Sequence, residues 1–193
     1  LIHELGDWVL RRACLDVAAM DVGEDLRLAV NVSVRQLKHP QFEARVMDLL
    51  TQAGFDPRRL EIEITESALF HGGEAAVEAV QRLGQHGVCF SLDDFGAGHS
   101  SLEYLHRLPI GKLKIAPSFI APDAQAAQGH ALLGAIIALA RNLGMSVVAE
   151  GVESAPQVEL LTTHGCDQMQ GYLISRPLGL EELRGWLAGV QEF

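Results

Sequence analysis

The sequence predicts an α/β fold of parallel strands alternating with helices, and within that class a (β/α) barrel. Two observations carry this. Six strand-like runs alternate with helical patterns along 193 residues, and such alternation calls for parallel strands joined by crossover helices. A chemically capable side chain also stands at or near the end of each run: Asn31, Glu63, Asp93, Lys114, Glu150 and Gln170. Alternation alone fits a doubly wound sheet equally well. The recurrence at strand ends favours the barrel, where active sites are assembled at the carboxyl ends of the strands. Six strands do not close a barrel of eight. Because the chain opens directly into a helical pattern, we expect the first strands to precede residue 1.

Composition narrows the class. Apolar residues make up 48% and charged residues 21%, an ordinary balance for one soluble domain with a substantial core. A net charge of -10 and the lack of a basic stripe argue against DNA or RNA as broad partners. An anionic ligand could still bind where metal ions reverse the local field. The longest apolar stretch, Ala131 to Ala140, falls short of a membrane span and sits inside an amphipathic helix pattern. The opening LIHELGDWVL lacks the basic start and cleavage site of a signal peptide, so a cytoplasmic location is expected. Cys14, Cys89 and Cys166 are odd in number, far apart and set among apolar residues, and read as reduced core thiols.

Taken in order, the first helix places Leu5, Trp8, Val9, Ala13, Leu15 and Ala18 roughly on one face. Leu26 to Val34 is a strand by its alternation and β-branched content, followed by a helix from about Arg35 to Ala53 that stops at Gly54. LEIEIT, Leu60 to Thr65, is the second strand; strict alternation puts Glu61 and Glu63 on one face and Ile62 and Ile64 on the other. An acidic face is foreign to a simple core strand. A helix over Ala75 to Gly87 leads to the apolar run Val88 to Leu92, which meets Asp93, Asp94 and a glycine-bearing loop. A short helix over Ser101 to Leu108 precedes the strand within Pro109 to Ile115, where Lys114 is costly to bury unless paired. Then follow a helix over Gly129 to Gly144, a strand ending at Glu150, a helix over Pro156 to His164, a short strand over Asp167 to Tyr172 carrying Gln170, and a closing helix over Leu180 to Val190.

Asn31, Glu63, Asp93, Asp94 and Glu150 offer oxygen ligands only, which suits Mg²⁺ or Mn²⁺ better than zinc. Adjacent carboxylates at the mouth of a buried strand repel unless a cation or a shared proton relieves them. Asp93 and Asp94 are therefore candidates to bridge a pair of cations about 3.5–4 Å apart, the spacing that clamps a phosphodiester. Lys114 would neutralise developing charge or position water, and Gln170 would orient a ligand or a water. Each residue has a plainer reading: Asp94 as a turn cap with Asp93 solvated, Asn31 in a turn, Glu150 capping before Gly151, Lys114 snorkelling to a rim, Gln170 a surface amide. Their coincidence at strand ends favours a site.

The motifs NVS (Asn31), EITES (Glu63, Glu66), DDFGAGHSS (Asp93, Asp94), LKI (Lys114), AEGVE (Glu150, Glu153) and QGYLISRP (Gln170, Pro177) together resemble the EAL domains of bacterial cyclic di-GMP signalling, in that family's order and spacing. The resemblance covers nearly all of residues 1–193. It implies a modified TIM barrel, here without its first strands and the EAL signature, whose enzymes hydrolyse cyclic di-GMP to linear pGpG with two Mg²⁺ or Mn²⁺ ions. By motif position, Asn31, Glu63 and Asp93 would hold one metal, and Asp93, Asp94 and Glu150 the other, directly or through water. Lys114 and Gln170 would position the attacking water, and Glu66 would brace the loop after Asp94, with Glu153 and Pro177 alongside in the substrate-binding loops. It also implies further signalling domains such as GGDEF or PAS, and a homodimer.

Three departures qualify that reading. The EAL glutamate is absent from this chain; Ala116 stands where the family reads Asp, so the second metal should be weaker; and Ala97 and His99 replace the usual Thr and Tyr of the regulatory loop. The alternative function is therefore a cyclic di-GMP receptor that binds without hydrolysis. A metal-dependent barrel of another class has fold analogy alone behind it.

Overall fold

In the computed structural model, residues 1–20, 23, 26–95, 107–120 and 126–190 are described. Six parallel strands form one sheet in sequence order: β1 (Leu28–Asn31), β2 (Leu60–Thr65), β3 (Cys89–Phe95), β4 (Ile110–Ile115), β5 (Ser146–Ala149) and β6 (Gln168–Met169). Helices α1 (Ile2–Ala18), α2 (Val34–Leu37), α3 (Phe42–Ala53), α4 (Glu66–Gln85), α5 (Ala126–Asn142), α6 (Ala155–His164) and α7 (Leu180–Val190) alternate with them. Every strand pairs with its sequence neighbour, so the sheet curls as an open half-barrel rather than doubling back at a switch point.

Period-two alternation sorts the strand side chains. One set, including Ile62, Ile64, Phe90, Leu92, Leu113, Ile115, Val147 and Ala149, joins helix residues such as Val80, Leu83, Leu133 and Ala140 in a contiguous buried cluster. The other set, Glu61, Glu63, Ser91, Asp93, Lys112 and Lys114, is polar and faces the concave side. The two acids of β2 are therefore an inner face, as the alternation predicts, and they meet lysines of β4 there.

Several boundaries differ from the sequence reading. The helix expected over Arg35 to Ala53 is two, α2 and α3, divided around Pro40, whose ring and missing N–H oppose a continuous helix. Helix α4 begins at Glu66, capped by Thr65 Oγ1 accepting from Ala68 N at 3.1 Å, and the Gly73 backbone (φ 63) breaks its regularity. That break is why the periodic pattern starts only near Ala75. Strand β3 runs on through Asp93 and Asp94, and β6 is two residues long with Gln170 just beyond it. The helix expected over Ser101 to Leu108 falls on residues outside the described ones, apart from its last two positions; Ala97 and His99 lie outside them too.

Helix α1 shows the opposite face to the one expected. Leu10 and Cys14 are its buried residues, whereas Leu5, Trp8, Val9 and Leu15 are exposed. Burial pushes the Cys14 thiol up to about 11, so it stays protonated as a core thiol. Cys89 and Cys166 are only partly buried and free. No described helix is long and apolar enough to cross a membrane.

Candidate active site

Of the expected site residues, Asn31, Glu63, Asp93, Asp94, Lys114 and Glu150 converge at the carboxyl ends of β1 to β5. Asn31 ends β1, in register with Glu63 on β2, and its Nδ2 donates to Glu63 Oε2 at 3.0 Å. Lys114, on β4 and 4% exposed, reaches across β3: its Nζ lies 2.7 Å from Glu63 Oε2, 2.7 Å from Glu150 Oε1 and 3.4 Å from Asp93 Oδ1. Burial alone would lower the Lys114 pKa, but hydrogen bonds with Glu150 and Glu63 outweigh it and hold the ammonium above the ordinary lysine value. One cation thus answers three carboxylates from three strands.

Local backbone geometry aims the acids. The ladder between β3 and β4 is irregular between Leu92 and Phe95, and Asp94 is the one described non-glycine residue with positive φ, at 54°. Strain of this kind persists where the surroundings impose it and gathers at functional sites. It turns Asp94, whose side chain would otherwise point away from that of Asp93, to the same rim. Asp93, Asp94 and Glu150 consequently each offer a carboxylate oxygen, all within 4.8 Å of one another.

Two glycines fix the neighbouring loops. After Glu150, Gly151 has φ 68 and packs so that an added Cβ would lie 2.8 Å from Pro117. At Gly171 a Cβ would lie 2.1 Å from the Val152 carbonyl oxygen. That close approach lets Gln170 N donate to Ala149 O at 2.8 Å and Gln170 O accept from Val152 N at 3.0 Å, which anchors Gln170 beside Glu150 with its side chain exposed. Glu66 opens α4, and both its carboxylate oxygens are buried without a hydrogen-bond partner. Glu153 and Pro177 are exposed, and no hydrogen bond or ion pair among the described residues ties their side chains to the acidic cluster. A cleft of about 500 Å³ lined by Asn31, Ser33, Thr65, Ser67 and His71 opens at the same end.

Comparison with known proteins fits this arrangement. The sequence profile of the EAL domain matches residues 1–177. The chain belongs to the EAL domain family. Among curated relatives, the cyclic di-GMP phosphodiesterase NbdA of Pseudomonas aeruginosa is 42% identical over 97% of this chain, which spans 24% of that protein. The solved structure of the MucR phosphodiesterase in complex with c-di-GMP, from the same organism, superposes with a TM-score of 0.87 at 40% identity, over 93% of this chain and 74% of that one. A calcium and cyclic di-GMP complex of Klebsiella pneumoniae BlrP1 gives a TM-score of 0.82 at 28% identity, over 91% of this chain and 44% of that one. The chain spans about a quarter of the length of the curated relatives it matches.

The oxygen-only donors of this EAL domain fit a hard divalent cation, and the ammonium of Lys114 among them shows that the cluster accepts positive charge. Sequence reasoning missed Lys112, whose Nζ lies 2.7 Å from Glu61 Oε2 inside the half-barrel. The sequence carries only a matching period, since Lys112 and Lys114 are two apart, as are Glu61 and Glu63, and a shared spacing does not say which strands lie within reach.

Proposed function

We propose that this chain is the catalytic part of a cyclic di-GMP phosphodiesterase that yields linear pGpG, using Mg²⁺ or Mn²⁺ in a two-metal site. The observation that carries the reading is the meeting of Glu63, Asp93 and Glu150 around Lys114 at the strand ends, with Asp94 beside Asp93 and Glu150, in a family whose relatives include named cyclic di-GMP phosphodiesterases. In this reading Asn31, Glu63 and Asp93 would hold one cation, and Asp93, Asp94 and Glu150 the other, directly or through water. Bound cations supply Lewis-acid polarisation of the phosphodiester and lower the pKa of water.

The chain's own groups do the positioning. Asn31 orients Glu63 through its amide hydrogen bond. Lys114 offsets negative charge as water adds to phosphorus and one P–O bond breaks, the departing alcohol taking a proton. Gln170 orients the water from its anchored backbone, Glu66 braces the loop after Asp94, and Glu153 and Pro177 shape the neighbouring loops. Further signalling domains, a homodimer and a cytoplasmic location belong to the same proposal.

A second reading is a receptor that binds cyclic di-GMP without cleaving it. Ala116 favours it: the residue is 6% exposed at the end of β4 and offers no oxygen where the acidic rim continues. The deciding experiment incubates the chain with cyclic di-GMP and Mn²⁺ and follows pGpG by chromatography, with Asp93→Ala as control. Metal-dependent product from the parent and its loss in the variant establish the enzyme. Binding without product establishes the receptor.

A further inference from the structure

The inner face of the half-barrel holds a second ion pair below the site. Lys112 Nζ lies 2.7 Å from Glu61 Oε2, with the glutamate 3% and the lysine 18% exposed. Like Glu63 and Lys114, the two residues join β2 to β4 across the strand between them. Ser91 on β3, fully buried, is in register with Glu63 on one side and Lys112 on the other, so it stands between the two pairs. The result is an acidic column on β2 facing a basic column on β4. Four carboxylates, Glu61, Glu63, Asp93 and Glu150, share two ammonium groups.

Side chains two apart on a strand stand roughly 7 Å apart on the same face. At that distance, away from water, Glu61 competes for any ammonium that is not otherwise engaged. We propose that Lys112 is a positioning residue: by neutralising Glu61 it leaves Lys114 to the three carboxylates at the strand ends, and so sets how strongly the site attracts a cation. Lys112 acts through Lys114. It touches neither substrate nor metal. The proposal rests on the reading of the acidic rim as a cation site, and on the phosphodiesterase reading only for its turnover arm.

The test compares the parent chain with Lys112→Met, Lys112→Arg and the double variant Glu61→Gln/Lys112→Met. Mn²⁺ affinity is measured by calorimetry without nucleotide, and kcat and KM with cyclic di-GMP. In Lys112→Met, Lys114 is drawn towards Glu61 and the rim acids lose their counter-charge. Mn²⁺ then binds about threefold or more tightly, while kcat falls about tenfold with KM little changed. Lys112→Arg keeps the parent values. In the double variant Glu61 no longer competes, and both quantities return to within about twofold of the parent. A purely structural pair gives the opposite pattern: Lys112→Met binds Mn²⁺ no more tightly, and the second substitution adds to the damage. Either of those results overturns the proposal. A parent that shows no turnover removes the phosphodiesterase reading alone, since the order of Mn²⁺ affinities is read without it.

Discussion

At Lys114 burial and charge act in opposite directions, and the neighbouring acids decide the outcome. Removing one partner of a buried pair typically costs about 3–5 kcal/mol because the other is left uncompensated. Here the ammonium is one of the groups that make the acidic rim tolerable without a cation. Ala116 is the converse case. Alternation puts it on the inner face above Lys114, and an Asp there would add a nearly buried carboxylate beside Glu150, whose backbone N–H already bonds to Ile115 O at 3.1 Å. We predict that Ala116→Asp lowers the melting temperature in chelator, recovers it in Mn²⁺, and raises turnover by about tenfold if the second cation limits the rate. Thermal melts with and without metal, beside the pGpG assay, check it; equal melts in both buffers would place residue 116 outside the site. That Lys114 needs partners was legible from its apolar neighbours, but which partners was not.

Among the elements, the strand ends place the site and the loops hold it. β5 delivers Glu150, and the turn after β6 presses Gly171 against Val152, whose carbonyl oxygen an added methyl would meet at 2.1 Å. Gly171→Ala must displace one backbone or the other and with it Gln170. We expect a loss of about 2 kcal/mol or more in stability together with weakened turnover, read from denaturant midpoints and from the assay. A variant as stable as the parent would show that the loop relaxes freely. The conformation of Asp94 is likewise an element-level device, since it depends on the irregular pairing of β3 with β4. Sequence reading stopped the strand at Leu92 because two acids ordinarily end a buried run.

For the whole molecule, the acidic rim links metal binding to folding. A cation that binds the native chain and not the unfolded one stabilises it by about 2.7 kcal/mol at a hundred times its Kd. Mn²⁺ should therefore raise the melting temperature of the parent and leave that of Asp93→Ala nearly unchanged, as calorimetry would show. An equal rise in both would mean the ion binds elsewhere on a surface of net charge -10. The sequence by itself determined the order of strands and helices, the parallel sheet and the residue types at the strand ends, because periods of 2 and 3.6 and the residues that close each run are local properties. The tertiary structure decided which face of α1 turns inward, that Asp94 bends to the rim, and that Lys112 and Lys114 each take a glutamate 51 residues away. Those outcomes depend on which strands lie within reach across β3, and no local pattern records that.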